Sequence, residues 1–132
     1  IKPNIAIVTD VCHDTTTPMI DKKKEGETKC GDGPVISYAP AVQNKLRELV
    51  VKTAEAKKIP FQRMASSRAT GTDTDAFAYS NGGVPSALIS VALRYMHTTV
   101  EMVNKDDVEN VIRLIYETLL NIKEGETFSY FE

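Results

Sequence analysis

Apolar and polar residues alternate along the chain in short blocks that predict strands and helices in turn. Four short runs rich in apolar and β-branched residues are bounded by polar or glycine-containing segments, as expected for buried strands. The predicted strands cover residues 4–10, 34–40, 59–65 and 84–92. Apolar residues at helical spacing after Pro40 predict an amphipathic helix over about 41–57. The charged segment 21–33 predicts an exposed connection.

The clearest predicted helix lies near the end of the chain. Asn104 suits its N-cap position, with Asp107 three residues later, and Gly125 is expected to end it. Its expected apolar stripe consists of Val108, Val111, Ile112, Ile115, Leu119 and Ile122. A further turn or two of helix is expected around residues 74–79, within the loop-like segment that separates the third and fourth predicted strands.

This alternation of strands and amphipathic helices indicates an α/β fold. We expect three layers, α/β/α, in which helices cover both faces of a mixed, mostly parallel sheet. The length of 132 residues is enough for one domain with a substantial hydrophobic core but not for two. We therefore expect no second domain.

Composition and charge exclude some classes of function. The chain is 42% hydrophobic and 26% charged, with a formal net charge of −2, so nothing indicates a nucleic-acid partner. No apolar run is long enough to span a bilayer, and no signal peptide opens the sequence, so we expect no membrane partner and a cytoplasmic location. Cys12 and Cys30 are then expected to be reduced thiols. A zinc site built on Cys12, His13 and Cys30 is conceivable, although it lacks paired CxxC spacing.

Three polar clusters follow predicted strands: DVCHDTT from Asp10, TGTDTD from Thr70 and RYMH ending at His97. Open α/β sheets place their chemistry at the carboxyl ends of strands. We therefore expect Asp10, Gly71 to Asp73 and His97 to lie along one rim of the sheet. Two structural alternatives stay open at this point. Asp10 could cap a turn, and His97 could be a structural histidine.

Several familiar active-site patterns are absent from the sequence. There is no GxxxxGK[ST] phosphate-binding loop and no GxSxG nucleophile elbow. The aspartate that ends the first predicted strand invites comparison with phosphatases of the haloacid-dehalogenase type. Those enzymes need a second aspartate two residues later, where this chain has Cys12.

Six segments in unbroken order resemble the di-metal aminopeptidases of metallopeptidase family forty-two. They are VTDVCHDTTTP, GDGPV, IPFQ, TGTDTDAF, GGVPSALIS and RYMHTTVEMV, and the resemblance runs from Ile1 to about Leu120. It implies that Asp10 binds one of two divalent metal ions, zinc or cobalt, and that His97 binds the other. Such a pair activates a bridging water as the nucleophile.

We also predict roles for neighbouring residues. The residues expected on the substrate side are Gly71, Thr72, Asp73 and Arg94, with Tyr95 anchoring the strand end beneath them. His13 is expected to orient Asp10 or a substrate rather than to bind metal. A pocket for acidic side chains would need a basic residue, which Arg68 or Arg94 could supply.

Part of the catalytic set of this family has no counterpart in the sequence. The family uses an upstream histidine, a bridging aspartate and two adjacent glutamates, one of which is the general base, yet the chain has no adjacent glutamate pair. We therefore expect no catalytic base here and expect residues 1–132 to be the C-terminal portion of a catalytic domain, inactive alone. The expected partners are peptide substrates, the remainder of that domain and further copies in a homo-oligomer. The alternative is a non-catalytic α/β module that serves in subunit assembly or partner binding.

Overall fold

Four strands and four helices make up the fold in the computed structural model, which describes residues 1–129. In chain order they are β1 (Ala6–His13), α1 (Lys22–Glu25), β2 (Val35–Tyr38), α2 (Asn44–Ala56), β3 (Gln62–Ala65), α3 (Asp73–Ala78), β4 (Ser86–Leu93) and α4 (Lys105–Asn121).

The strands form one mixed sheet in the order β1-β4-β2-β3. β1 pairs in parallel with β4 over eight positions, from Ala6 opposite Ser86 to His13 opposite Leu93. β2 and β3 are also parallel to each other, but β2 runs antiparallel to β4. The carboxyl ends of β1 and β4 therefore lie at one end of the sheet, and those of β2 and β3 at the other.

Helices cover both faces of the sheet, which confirms the three-layer α/β/α prediction. On one face, α2 and α4 contribute Leu46, Val50 and Leu114 to a core that includes Ile36 and Ile89 from the strands. On the other face, Phe77 of α3 packs against a smaller cluster of Val8, Val42 and Leu88. Adjacent residues of a strand point to opposite faces, so Leu88 and Ile89 belong to different layers.

Two predicted boundaries are wrong, and the first of them bears on the site. β1 continues to His13, because all eight of its residues find partners on β4. Asp10 therefore lies inside the strand rather than at its end. Asn104 does cap α4, by accepting the N–H of Asp106, but the helix ends at Asn121, before Gly125. The backbone of Ile122 is already extended, so the helix cannot continue to the glycine.

The predicted apolar stripe of α4 is divided between two sides of the helix. Val111 and Leu114 are buried in the core, with Ile115 and Ile122 partly buried against it. Ile112 is 63% exposed and Leu119 is 52% exposed. We call the exposed side the outer face of α4; it consists of Val108, Ile112, Tyr116, Leu119 and Leu120.

A buried carboxylate joins α4 to the segment before β2. Asp107 is 1% exposed and accepts the backbone N–H groups of Gly31 at 2.6 Å and Gly33 at 2.9 Å. Gly33 has a φ of +94°, and a Cβ atom there would collide with the carbonyl group of Pro60. These contacts fix the entry into β2 and require glycine at position 33.

Candidate functional site

Asp10 lies beside Ser90 in the parallel ladder of β1 and β4. Register partners in a parallel pair point to the same face, so both side chains lie on the face that carries α3. Asp10 is half-buried, and its Oδ1 accepts the N–H of Val11 at 2.7 Å. Within residues 1–129, its second carboxylate oxygen has no hydrogen-bond or ion-pair partner. That oxygen is free to bind a ligand.

His97 lies in a loop closed by a two-way backbone bridge after β4. The N–H of Arg94 donates to the carbonyl of Met102 at 3.0 Å, and the reverse bond is 3.1 Å. His97 itself has a φ of +66°, and its N–H donates to the carboxylate of Glu101 at 2.6 Å. Its exposed ring has no hydrogen-bond partner in the part of the chain that the structure describes. The loop thus fixes the backbone and leaves the imidazole nitrogens available.

The ends of β1 and β4 bring the two histidines of the chain together. The rings of His13 and His97 meet edge to face, with centroids 6.4 Å apart and an interplanar angle of 73°. His13 is the last residue of β1, and His97 follows the end of β4 by four residues. The parallel pairing of these strands therefore places the two sequence clusters at one end of the sheet, as expected.

The third polar cluster, TGTDTD from Thr70, also lies near the carboxyl ends of β1 and β4, but not because β3 ends there. β3 runs opposite to β1 and β4, so the expectation that its carboxyl end shares their rim is wrong. The segment after β3 instead folds back across the face of the sheet. As a result, Thr70 and Thr72 line the same cavity as His13 and Met96.

Asp75 holds the returning segment in shape. Its carboxylate accepts the backbone N–H groups of Thr70 at 3.0 Å and Gly71 at 2.9 Å, and the hydroxyl of Thr72 caps α3. Burial alone would raise the pKa of Asp75, but these hydrogen bonds, led by that from Thr70, hold it below its usual value. Gly71 and Asp73 are exposed beside the cap.

A second carboxylate, that of Asp14, organises the chain after β1. Asp14 is 1% exposed and accepts the N–H and hydroxyl of Thr16 and the N–H of Cys30. Burial acts to raise the pKa of Asp14, yet these hydrogen bonds and the positive charge of Arg94 lower it overall. The DTT sequence, with a hydroxyl two residues after the aspartate, is the local signal for this turn.

Arg94 is half-buried, with its guanidinium carbon 5.4 Å from the centre of the Tyr95 ring.

A cavity of about 240 Å³ lies on the α3 face of the sheet, next to these groups. Leu88, Ser90 and Met64 line it from the strands, and Thr72 lines it from the loop before α3. Ser90 is 1% exposed, and its hydroxyl has no hydrogen-bond partner among the described residues. An unpartnered polar atom at the wall of a cavity favours a site that accepts a polar ligand or water. Asp10, a candidate metal ligand, is the register partner of Ser90 on the neighbouring strand.

The described residues supply donors for a metal ion but not a complete site. Within residues 1–129, no group of three or more histidine, cysteine, aspartate or glutamate side chains could hold a metal ion. The conceivable site on Cys12, His13 and Cys30 is therefore not formed, and both cysteines are free. Burial, with the nearby carboxylates of Asp10 and Asp14, raises the pKa of Cys12 to about 12. Asp10 has a carboxylate oxygen and His97 an imidazole without hydrogen-bond partners within residues 1–129, and both are ligand types that divalent metal ions accept.

No helix within residues 1–129 has the length and apolar character needed to cross a membrane.

Known proteins match nearly the whole chain, although the chain spans only about a third of their length. A lysyl aminopeptidase of Pyrococcus furiosus is 34% identical over 123 residues, which are 93% of this chain and 35% of that protein. The crystal structure of a TET aminopeptidase from a marine sediment Thaumarchaeota archaeon superposes with a TM-score of 0.82 at 30% identity. That superposition covers 92% of this chain and 34% of the other.

A third relative adds an assembly to the comparison. The TET1 peptidase of Pyrococcus horikoshii, described as able to assemble into a tetrahedron or a large octahedral shell, has a TM-score of 0.63 at 28% identity. The alignment covers 87% of this chain and 32% of that one. The sequence model of the family described as M42 glutamyl aminopeptidase matches residues 1–114. The chain therefore belongs to the M42 glutamyl aminopeptidase family.

Proposed function

We propose that this chain is the C-terminal portion of the catalytic domain of a metal-dependent aminopeptidase, which removes N-terminal residues from peptides. The observation that carries the proposal is the pairing of β1 with β4. It places the strand that contains Asp10 beside the strand that leads into the loop of His97, and each of these side chains has a ligand atom without a hydrogen-bond partner among residues 1–129. Membership of the family and the similarity to named aminopeptidases support the same activity.

In this proposal the residues of the chain hold and orient the reacting groups. Asp10 would bind one divalent ion, zinc or cobalt, and His97 the other. Two such ions, when bound, would supply an activated water for attack on the peptide carbonyl. His13, in edge contact with His97, would keep the imidazole of His97 in place. The general base is not supplied by this chain.

The substrate would enter beside the loop before α3. Thr72 lines the cavity, and Gly71 and Asp73 flank it on the exposed surface. Arg94 would anchor the loop that carries His97, through its backbone bridge to Met102. The relatives differ in the residue for which they are named, lysyl in one and glutamyl in the family description, so the names leave the side-chain preference open.

Two surfaces are available for the proposed partners. β1 lies at the edge of the sheet in the described part of the chain, and an unpaired edge can accept a further strand. The outer face of α4 is apolar and exposed. We propose that the remainder of the catalytic domain and neighbouring subunits of a homo-oligomer cover them. The two free cysteines favour a reducing compartment, the cytoplasm.

The same apolar face supports a second candidate function. A non-catalytic module would use the outer face of α4 for assembly and would need neither Asp10 nor His97. The two candidates differ in what happens when these two side chains are replaced.

The decisive experiment uses the complete protein that contains this chain. Peptide hydrolysis should disappear on treatment with a chelator and return with zinc or cobalt. Asp10→Asn and His97→Ala should each lower turnover by more than the ~10–100-fold that loss of a ligand's hydrogen-bonding neighbour usually costs. Asp106→Asn, on the exposed start of α4, is the control and should leave turnover unchanged. Full activity in both site variants would favour the assembly module.

A companion measurement addresses the chain by itself. Tight zinc sites use three or four protein ligands, and the described residues offer each ion one. Calorimetric titration of zinc into the isolated chain, with folding checked by circular dichroism, should show no submicromolar binding, and aminopeptidase assays should show no turnover. Submicromolar binding that is lost in His97→Ala would mean that the chain carries a complete site.

A further inference from the structure

The cavity that Ser90, the strand partner of Asp10, helps to line combines apolar and hydroxyl-bearing side chains with a single acidic residue. Met64 and Leu88 line it from the sheet, and Met96 lines it from the loop after β4. Glu25 is the one carboxylate among the described lining residues, and none of those residues is lysine or arginine. Arg68 and Arg94, the basic residues that could recognise an acidic side chain, do not line the cavity. The cavity therefore offers a ligand apolar side chains, hydroxyl groups and one negative charge.

The chain around Glu25 is fixed against the end of β1. Thr28, three residues later, donates its N–H to the hydroxyl of Thr15 at 3.1 Å and its hydroxyl to the carbonyl of His13 at 2.6 Å. The N–H of Thr15 returns a bond to the carbonyl of Thr28 at 2.9 Å. Thr15 and Thr28 both line the cavity. This clamp holds α1, and Glu25 at its end, at the cavity.

The carboxylate of Glu25 is available to a ligand. Its side chain is 43% exposed, and its ion-pair partner is the ammonium of Lys24 at 3.7 Å. The Lys24 side chain is 80% exposed, so this pair is weak and easily exchanged for another cation. A cation held partly inside the cavity would be less screened by solvent than Lys24.

From these observations we infer that the cavity receives the N-terminal side chain of the substrate and that Glu25 selects a lysine or arginine there. This inference rests on the proposed function and adds its substrate class. A long cationic side chain matches the lining, because its methylene groups pack against Met64, Leu88 and Met96 while its charged end meets a carboxylate. The hydroxyl of Ser90, unpartnered beside Asp10, lies where the cavity adjoins the proposed metal ligands.

The test measures kcat/KM of the complete protein on para-nitroanilides of lysine, arginine, leucine and glutamate. The lysine and arginine substrates should be cleaved most efficiently, and the glutamate substrate least. Glu25→Gln should lower kcat/KM about tenfold for lysine, mainly through KM, because it removes one charge-pair contact, and should leave leucine unchanged. Glu25→Lys should improve the glutamate substrate relative to lysine.

Glu27→Gln is the matched control in the same segment. Its side chain is 83% exposed, pairs with Lys22 at 3.8 Å and does not line the cavity, so its kinetics should match those of the unmodified protein. A preference for leucine or glutamate, or equal effects of Glu25→Gln and Glu27→Gln, would overturn this inference and leave the proposed function standing. Absence of metal-dependent turnover on all four substrates would overturn the proposed function and the inference together.

Discussion

The imidazole rings of His13 and His97 meet edge to face across the ends of two parallel strands, 6.4 Å apart between centroids. Edge-to-face aromatic pairs at this separation are favourable. His97 is exposed, and its ring has no hydrogen-bond partner within the described residues; the aromatic ring that it contacts there is that of His13. We propose that through this contact His13 positions His97, a proposed metal ligand.

Replacing His13 by alanine should therefore loosen His97 and weaken metal binding in the complete protein about tenfold, as for other residues that orient a metal ligand. His13→Phe keeps an aromatic edge and should restore most of the affinity. Metal affinity is measured by competition with a chelator, and the thermal midpoint of the metal-free protein serves as the stability control. If the phenylalanine variant is as weak as the alanine variant, the ring contact is not what positions His97.

Asp14 should make stability depend on acidity. Hydrogen bonds and the charge of Arg94 keep its pKa below the ordinary value of 3.8 in the folded protein. A lowered pKa stabilises the fold above the unfolded value, and this contribution is lost as the pH falls through the folded value. The midpoint temperature of thermal unfolding should thus decrease when the pH is lowered below about 4. Asp14→Asn should lower the midpoint near neutral pH and flatten this acid-side decline.

The exposed residue Asp32 provides the control for that experiment. Asp32→Asn should keep both the midpoint and its pH profile, because Asp32 makes only a marginal surface ion pair with Lys29 at 4.0 Å. An unchanged acid-side slope in Asp14→Asn would show that other groups carry the pH dependence.

Gly33 and Gly125 separate two reasons why a glycine is needed. Both have positive φ, +94° and +76°, but only at Gly33 would a Cβ atom strike the backbone of Pro60. Gly33→Ala should lower the free energy of unfolding by more than about 2 kcal/mol, because a steric clash adds to the conformational strain. Gly125→Ala should lower the free energy of unfolding by about 1 kcal/mol, because it introduces conformational strain without a clash. Comparable shifts in the thermal midpoints of the two variants would contradict the clash at Gly33.

The sequence was sufficient for the fold class, because alternating strand and helix patterns depend on local residue spacing. Residue spacing could not give the direction of β3, which depends on pairing with β2 and, through it, with β4. The same limit explains α4. Periodicity indicates its apolar residues but cannot decide which of two apolar sides faces the core, and Ile112 and Leu119 lie on the exposed side.

Some features of the candidate site can be predicted from local sequence motifs, and others depend on contacts between distant segments. The motifs around Asp10 and His97, and the family that they resemble, are the basis for proposing these residues as metal ligands. The contact of His97 with His13, and the cavity shared by Thr72, Met64 and Glu25, arise from chain segments far apart in the sequence. The contacts of Asp107 could not be predicted from local sequence either, because its carboxylate accepts N–H groups 74 and 76 positions away.

The pairing of β1 with β4 also sets the order in which the protein can form while it is being synthesised. In the described part of the chain, β1 is the first strand to leave the ribosome and β4 is the last, yet each is the neighbour of the other. Contacts between such distant segments form late in folding. Asp10 therefore stays without Ser90 and the loop of His97 until the ribosome has passed position 97, and a prematurely released chain that ends before β4 cannot assemble this end of the site.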